Sequence, residues 1–262
     1  LHISLLLANV EKNNEVITQP LTFIATCNAI SYCGARPIFI DVDKDTLGLS
    51  SSALQCFFQT NTIVKNQQCI NNKTGKVIKA CVPMHTYGHP CRIDKIREIC
   101  DKYHVLLIED AAESLGSTYN GKHTGTFGHI GVFSFNGNKI ITTGGGGAIL
   151  TNDEELGQRA KHLTTTAKVP HRWEYVHDQL GYNYRMPNIN AALGCAQLEQ
   201  LESYLVFKRE LFGKYQGALT GIAGVRLMQE RKFAKSNYWL QALVFDEQIE
   251  VNVLLKLLYD SG

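Results

Sequence analysis

The sequence has no strong excess of charge of either sign and no apolar run long enough to cross a bilayer. Its 26 Lys and Arg residues nearly balance 24 Asp and Glu residues, which leaves a formal net charge of +2 at pH 7. A nucleic-acid-binding surface usually needs a basic field, and a transmembrane helix needs about 20 consecutive apolar residues. We therefore expect neither a nucleic acid nor a membrane as a partner.

Cysteine is present, but CxxC pairs are absent. In a chain of 262 residues, scattered single cysteines are more typical of reduced, buried thiols than of a disulfide framework or a zinc site. We therefore expect buried thiols, a cytoplasmic location and no metal site. The eight cysteines are Cys27, Cys33, Cys56, Cys69, Cys81, Cys91, Cys100 and Cys195.

Two further absences concern the ends of the chain. There is no initiator Met, and no Ser, Thr or Asp caps the apolar helical pattern that begins at Leu1. At the other end, the pattern of an amphipathic helix runs from Val251 to the last residue. These features predict a fragment of a longer protein that begins inside a helix.

The chain does contain alternating strand and helix patterns, which predict an α/β fold with a mostly parallel sheet. One long helix is predicted over Asn188–Leu219, then a strand over Asn237–Phe245 and a last helix. We therefore predict a large domain over residues 1–220 and the start of a small domain over residues 221–262. The other predicted helices are Thr22–Gly34 and Arg92–His104, and the other predicted strands are Glu15–Thr18, Arg36–Val42, Lys76–His85, Val105–Asp110, Gly131–Phe135 and Gly147–Thr151.

Asp110 ends the apolar strand pattern "VLLIED". Burial disfavours an ionised carboxylate, and the carboxyl ends of parallel strands are where open α/β sheets bind ligands. A functional Asp110 would need a cationic partner, such as a protonated ring nitrogen. The alternative is a carboxylate that caps the next segment, and the strand alone leaves both open.

Lys139 lies in "SFNGNKIITTGGGGAIL", which begins at Ser134 and contains four consecutive glycines, Gly144–Gly147. A phosphate-binding P-loop is excluded because it needs Gly directly before the lysine and Ser or Thr after it. An exposed loop lysine and a lysine that forms a Schiff base both remain open. Small neighbours favour the Schiff base, since they let backbone approach a flat cofactor.

A third segment, "GYNYRMPNINAALG", begins at Gly181 and places Asn183 and Arg185 among tyrosines just before a helix. An amide and a guanidinium in this position suit an anion such as phosphate. A polar turn that caps the helix is the alternative.

Taken together, the segments resemble the DegT/DnrJ/EryC1/StrS family, whose members are pyridoxal-phosphate-dependent nucleotide-sugar aminotransferases of fold type I. The resemblance covers nearly the whole chain, from about Leu1 to Phe245. Within the family, the motifs "EDAAES" and "SFNGNK" are most similar to those of the branch that aminates UDP-4-keto-6-deoxy-N-acetylhexosamines. The segments that carry the resemblance are "PLTFIATCNAI", "RPIFIDVDKDTL", "VPMHTYGHPCRIDKI", "LLIEDAAESLGS", "GTFGHIGVFSFNGNKIITTGGGGAI" and "GYNYRMPNINAALG".

The resemblance implies roles for five residues. Lys139 matches the lysine that forms the Schiff base with the cofactor, and Asp110 matches the acid that pairs with the pyridinium nitrogen. Ser134 matches the serine that binds the cofactor phosphate, and Glu113 lies where many members carry His or Gln near the ring. Asn183 matches an asparagine that reaches the cofactor of a neighbouring subunit, which implies a homodimer. Thr22, His85 and Arg185 lie in matching motifs without an assigned role.

The implied reaction is transamination. Glutamate is the expected donor, a keto-sugar nucleotide is the acceptor, and Lys139 would move the proton as general base and acid. Sister dehydratases in the family have His at the lysine position, so Lys139 favours amino transfer.

Two rival hypotheses remain. The family's Gly-Thr-Ser/Ala stretch, which binds the cofactor phosphate at a helix N-terminus, is absent, so an impaired fragment or paralogue with a binding or regulatory role is the first. The second is a nicotinamide-dependent oxidoreductase, which would need GxGxxG after the first strand, and "EVITQPLTF" offers none.

Overall fold

The computed structural model describes residues 1–261 and is built around one eight-stranded sheet. The sheet order is β10-β9-β6-β5-β1-β2, and the β3–β4 hairpin joins at β5. The strands are β1 (Glu15–Thr18), β2 (Arg36–Phe39), β3 (Thr62–Lys65), β4 (Gln68–Asn71), β5 (Val77–Val82), β6 (Leu106–Asp110), β7 (Thr118–Tyr119), β8 (Lys122–His123), β9 (Ile130–Ser134), β10 (Gly147–Leu150), β11 (Val225–Leu227), β12 (Ala234–Lys235) and β13 (Leu243–Phe245).

The sheet is mixed but mostly parallel. The pairs β1–β2, β1–β5, β5–β6 and β6–β9 are parallel, whereas β10 runs antiparallel to β9 and β4 antiparallel to β5. Two smaller sheets consist of β12-β7-β8 and β11-β13. The predicted fold class, an α/β fold with a mostly parallel mixed sheet between helices, is therefore confirmed.

Helices cover both faces of the sheet, and alternate strand residues point into two separate cores. Ile108 of β6 lies in the core that contains residues of α1, α2 and α5, and its neighbour Leu107 lies in the core that contains residues of α3 and α4. The helices are α1 (His2–Leu7), α2 (Ile24–Tyr32), α3 (Ser51–Asn61), α4 (Ile93–Lys102), α5 (Glu154–Thr164), α6 (Asn188–Leu198), α7 (Leu201–Leu219) and α8 (Val251–Asp260). None of the helices in residues 1–261 is both long and apolar enough to span a membrane.

The prediction of one helix over Asn188–Leu219 is wrong, because the chain breaks it into α6 and α7 at Glu199–Gln200. The sequence contains neither Gly nor Pro at the break. Gln197 instead makes tertiary contacts there: its side-chain oxygen accepts from Thr142 N–H at 3.3 Å and its amide donates to the Tyr204 hydroxyl at 3.2 Å. These contacts outweigh the local helix propensity.

The predicted strand Asn237–Phe245 is also mostly wrong, since only Leu243–Phe245 is extended and paired. Tyr238 has φ of 48°, in the left-handed region, which interrupts any strand. The expectation of buried thiols is only partly right. The eight cysteines are all free, but Cys56 and Cys195 are exposed, and Cys27 and Cys33 are half-buried.

Candidate active site

The candidate site lies at the carboxyl ends of the parallel strands, where an open α/β sheet leaves space for ligands. Asp110 is the last residue of β6 and Ser134 the last residue of β9. Both line a cavity of about 960 Å³ together with Glu113, Lys139 and Arg185. Four of the five residues with implied cofactor roles, Asp110, Glu113, Ser134 and Lys139, therefore line one cavity. They come from segments that are up to 29 positions apart in the sequence.

Asp110 is buried, and two donors hold its carboxylate. Oδ2 accepts from the hydroxyl of Thr26 at 3.0 Å, and Oδ1 accepts from the N–H of Ala112 at 3.2 Å. Thr26 lies on α2, so the packing of this helix against the sheet also orients the acid. The capping alternative accounts for the Ala112 contact, but a cap alone does not require the burial of Asp110 at the wall of a cavity.

Glu113 lies three residues after Asp110 in the sequence and is also buried. Its Oε2 accepts from the N–H of Tyr87 at 2.8 Å, and Tyr87 adopts a left-handed conformation with φ of 56°. Burial raises the pKa of Glu113, and the contact with Tyr87 and the charge of Lys139 oppose part of that shift. The cavity wall therefore contains Glu113, a carboxyl group with a raised pKa, in addition to Asp110.

Lys139 is half-buried in the loop between β9 and β10. Burial lowers the pKa of its amine, while the charges of Glu113 and Asp110 partly oppose the effect. A lowered pKa leaves more of the amine neutral at neutral pH, and the neutral amine is the nucleophile. The hypothesis of an idle, fully exposed loop lysine does not fit this environment.

The glycines after Lys139 make the loop conformation possible. Gly144 and Gly146 have φ of 78° and 107°, which L residues with a side chain rarely adopt. A Cβ at Gly147 would collide with the carbonyl oxygen of Phe133 on the paired strand. Gly146 and Gly147 also line the cavity, so the glycines allow close backbone packing beside the space for a ligand.

Three residues from the matching motifs lie outside the cavity lining. Asn183 is exposed, next to the lining residues Tyr184 and Arg185. His85 is fully buried, and its Nε2 lies 2.8 Å from Glu109 while its Nδ1 accepts from the N–H of Cys91. That acceptor bond assigns the ring proton to Nε2.

Thr22 lies behind the cavity wall. Its hydroxyl contacts the hydroxyl of Thr26 at 2.9 Å and the sulfur of Met84 at 3.3 Å. Thr26 in turn binds Asp110. Thr22 therefore supports a lining residue and has no contact with the cavity itself among the described contacts.

Thr26 and Trp239 are among the lining residues that the sequence patterns did not single out. Trp239 follows Lys139 by 100 positions, in a segment assigned to a strand, so no local pattern connects them. Thr26 falls four residues after Thr22 on a predicted helix, and this spacing places the two side chains on one face. That spacing was the available indication for Thr26.

A comparison with known proteins identifies the lineage. Residues 1–261 match the DegT/DnrJ/EryC1/StrS aminotransferase family. The chain belongs to this family. The resemblance inferred from the ordered motifs is therefore confirmed, and the nicotinamide-dependent rival is excluded at the level of family.

Two relatives are similar in sequence to most of this chain. EpsN of Bacillus subtilis, named as a pyridoxal-phosphate-dependent aminotransferase, is 42% identical over 246 residues, which cover 94% of this chain and 61% of EpsN. GDP-perosamine synthase of Escherichia coli O157:H7 is 42% identical over 244 residues, which cover 93% of this chain and 62% of that protein. The chain thus spans less than two thirds of the length of these two relatives.

The fold agrees with that of a solved aminotransferase. The aminotransferase TlmJ of Streptoalloteichus hindustanus superposes with a TM-score of 0.87 at 29% identity, over 100% of this chain and 67% of TlmJ. The sheet and helices described above therefore share the fold of this solved aminotransferase.

Proposed function

We propose that this chain carries the active site of a pyridoxal-phosphate-dependent aminotransferase. It would move an amino group from an amino acid, with L-glutamate as the expected donor, to a keto-sugar nucleotide. One observation carries the proposal: a half-buried lysine with a lowered pKa shares a cavity with the buried carboxylate of Asp110. Membership of an aminotransferase family supports the same chemistry.

The residues that line the cavity fit pyridoxal phosphate. Lys139 offers an amine for the covalent bond, and Asp110 offers a buried carboxylate for a protonated ring nitrogen. Ser134 offers a hydroxyl for the phosphate, and Glu113 lies beside Asp110 for a contact near the ring. A cavity of about 960 Å³ is large enough for the cofactor together with part of a substrate.

When bound, the cofactor supplies an aldehyde that takes up an amine and a ring that withdraws electrons from the neighbouring carbon. The chain supplies the proton chemistry. As a neutral amine, Lys139 would accept the proton from the donor's Cα and later give it back. Asp110, held by Thr26 and Ala112, would accept a hydrogen bond from the cofactor's ring nitrogen and so favour its protonated form. The burial of Asp110 would strengthen its electrostatic contact with such a ring.

For the acceptor we propose a UDP-linked 4-keto-6-deoxy-N-acetylhexosamine, for use in the biosynthesis of a glycan or surface polysaccharide. The resemblance of "EDAAES" and "SFNGNK" to that branch supports this choice. The similarity to GDP-perosamine synthase makes a GDP-linked keto-sugar the second candidate. A panel with both nucleotides distinguishes them.

We further propose a homodimer in which each active site takes residues from both subunits. Asn183 is exposed next to the lining residue Arg185, so it is available to a second copy. The adjoining helix α6 exposes a set of large apolar side chains, which a second copy could cover. They are Ile189, Leu193 and Leu198.

The proposal is tested with purified protein, added pyridoxal phosphate and L-glutamate. We expect a visible absorption band from the bound cofactor that glutamate bleaches with release of 2-oxoglutarate, followed by amino transfer to one member of the sugar panel. A band without any amino transfer would favour the binding or regulatory alternative. The absence of both would contradict the proposal.

A further inference from the structure

All four residues of the segment Ser236–Trp239, which lies outside the helices and strands, are buried. It precedes β13 and comes from the C-terminal part of the sequence, yet Trp239 reaches the wall of the cavity. We call these four residues the SNYW segment. Neither the local sequence pattern nor the resemblance assigned it a role in the site.

Hydrogen bonds to three other parts of the chain hold the SNYW segment in place. The hydroxyl of Ser236 donates to the carbonyl of Gly88 at 3.0 Å, and the N–H of Asn237 donates to the hydroxyl of Ser117 at 2.9 Å. The side-chain amide of Asn237 donates to the carbonyl of Glu113 at 2.9 Å. The segment is therefore attached directly to the backbone of a residue that lines the cavity.

Gly88 shows how closely the SNYW segment packs. Gly88 has φ of 91°, and a Cβ at this position would overlap the side-chain oxygen of Asn237. A residue with a side chain here would displace Asn237 from its contacts with the cavity wall. The close approach of Asn237 to this backbone therefore requires glycine at position 88.

The backbone of the SNYW segment is strained at Tyr238, whose φ of 48° is unfavourable for an aromatic residue. Two neighbouring side chains support this conformation. The Ser236 hydroxyl accepts from the N–H of Tyr238 at 3.0 Å, and the Asn237 side-chain oxygen accepts from the N–H of Trp239 at 2.9 Å. Tyr238 also stacks on Phe212 with 4.1 Å between ring centroids. Strain of this kind is retained where the surrounding structure needs a particular side-chain position.

The side chain that the strained turn presents is Trp239. Its indole N–H donates to the carbonyl of Asn138 at 2.7 Å, and the ammonium nitrogen of Lys139 lies 4.2 Å from the centroid of its ring. One contact holds the backbone just before Lys139, and the other is a cation–π contact with its side chain. Glu113 and Asp110 are the carboxylates whose charges act on the same amine.

We propose that Trp239 is a positioning residue that holds the Lys139 amine in the cavity, so that the C-terminal part of the chain completes a site otherwise built on strand ends. The proposal rests on the proposed function only in taking Lys139 as the reactive amine. The contact itself needs no cofactor. It can therefore be tested on the protein alone as well as during cofactor attachment.

The first test uses Trp239 as its own reporter. The sequence has two tryptophans, and Trp173 is 68% exposed whereas Trp239 is 6% exposed. In a Trp173→Phe background without added cofactor, the emission of Trp239 should change as the Lys139 amine loses its proton, with a midpoint below the ordinary lysine pKa. Adding Lys139→Met should abolish that step. The same titration in both proteins would overturn the proposal.

The second test measures how fast pyridoxal phosphate becomes attached to Lys139, by borohydride fixation and peptide mapping at fixed pH. Loss of a cation–π contact and a hydrogen bond in Trp239→Leu should slow attachment by about 10-fold, and Trp239→Phe, which keeps a ring, by about 3-fold. Trp173→Leu is the matched control and should match the wild type. Circular dichroism and unfolding curves check that each variant is folded.

The outcomes separate this inference from the proposed function. Attachment at the wild-type rate in folded Trp239→Leu would overturn the positioning role even if the protein is an aminotransferase. If the wild type itself attaches no pyridoxal phosphate at Lys139, the proposed function fails. The emission titration then decides alone whether Trp239 holds the lysine.

Discussion

The central sheet and the last three helices of the chain differ in how much of their surface the chain itself buries. Four of the five residues of β6 are buried, and so are four of the five in β9. Every residue of α7 and α8 is at least partly exposed, although both helices contain large apolar side chains such as Phe207 and Leu257. Residues at strand ends are therefore held by contacts within the chain, whereas Asn183, in the loop that leads to α6, lies on surface that a second copy could cover.

The largest expected effect concerns chemistry on the sheet side. Lys139→Ala removes the amine that we propose bonds the cofactor and moves the proton, so we expect the rate of amino transfer to fall by about 10⁴-fold or more. Stopped-flow measurement of the glutamate half-reaction checks this. Lys95→Ala, an exposed lysine on α4, is the control and should retain the wild-type rate. A similar loss in both variants would show that the effect is not specific to the cavity.

The difference in burial between the two regions can be tested by replacing one leucine in each region with alanine. Leu107 on β6 is 0% exposed and Leu257 on α8 is 60% exposed. Leu107→Ala should lower the free energy of unfolding by about 2–5 kcal/mol because it leaves a cavity in the core. Leu257→Ala should change it by less than about 0.5 kcal/mol. Urea unfolding of both variants measures the difference, and equal costs would contradict the contrast between the two regions.

His89 is buried and packs against the SNYW segment, with its ring edge-on to Tyr238 at 5.4 Å between centroids. Within residues 1–261 both of its buried ring nitrogens lack a hydrogen-bond partner. Burial, assisted by the charge of Arg231, lowers the pKa of His89 to about 4. The unfolded chain has the ordinary value of about 6.5 and binds more protons between these limits.

Above about pH 6.5, His89 is neutral in both the folded and the unfolded chain, and its titration costs no stability. As the pH falls from 6.5 towards 4, the free energy of unfolding should fall by up to about 3 kcal/mol, because the unfolded chain takes up the proton more readily. The measurement is the free energy of unfolding of the wild type and His89→Phe across this range. The wild type should lose more stability on acidification than the variant. Parallel pH profiles would show that His89 does not contribute this dependence.

The smallest expected signal tests the shared site. The Lys139→Ala and Asn183→Ala variants should each have low amino-transfer activity alone. In a refolded equal mixture, half of the dimers contain one chain of each kind, and one of the two sites in such a dimer has both wild-type residues. The mixture should therefore regain about a quarter of the wild-type number of active sites. Steady-state amino transfer with glutamate measures this. No recovery in a mixture that forms dimers would contradict a role for Asn183 across subunits.

The sheet could be predicted from the sequence because strands buried on both faces are continuous apolar runs, as in Leu106–Asp110. The β3–β4 hairpin was missed because its turn uses Asn66 and Gln67 at positive φ rather than the usual Asn-Gly. Helix α3 was missed as well, although Ser50 caps it with a hydroxyl that accepts from the N–H of Ala53.

The candidate site could be predicted only through the ordered set of motifs. Asp110 and Lys139 each had an alternative interpretation until the motifs were taken together, and the structure places both in the wall of one cavity together with Ser134. Trp239 could not be predicted, because its contact with Asn138 joins residues 101 positions apart and depends on a strained turn at Tyr238. Such contacts follow from tertiary packing rather than from local pattern. The division into domains at residue 220 and the individual roles of the site residues stay predictions.

The most direct test of the central claim is to fix the cofactor on the protein and find where it is. Purified protein is incubated with pyridoxal phosphate, reduced with borohydride, digested and mapped by mass spectrometry. The account predicts a single phosphopyridoxyl group on the peptide that contains Lys139, with loss of the visible band on reduction. No modified peptide, or a group on another lysine such as the cavity-lining Lys161, would contradict it.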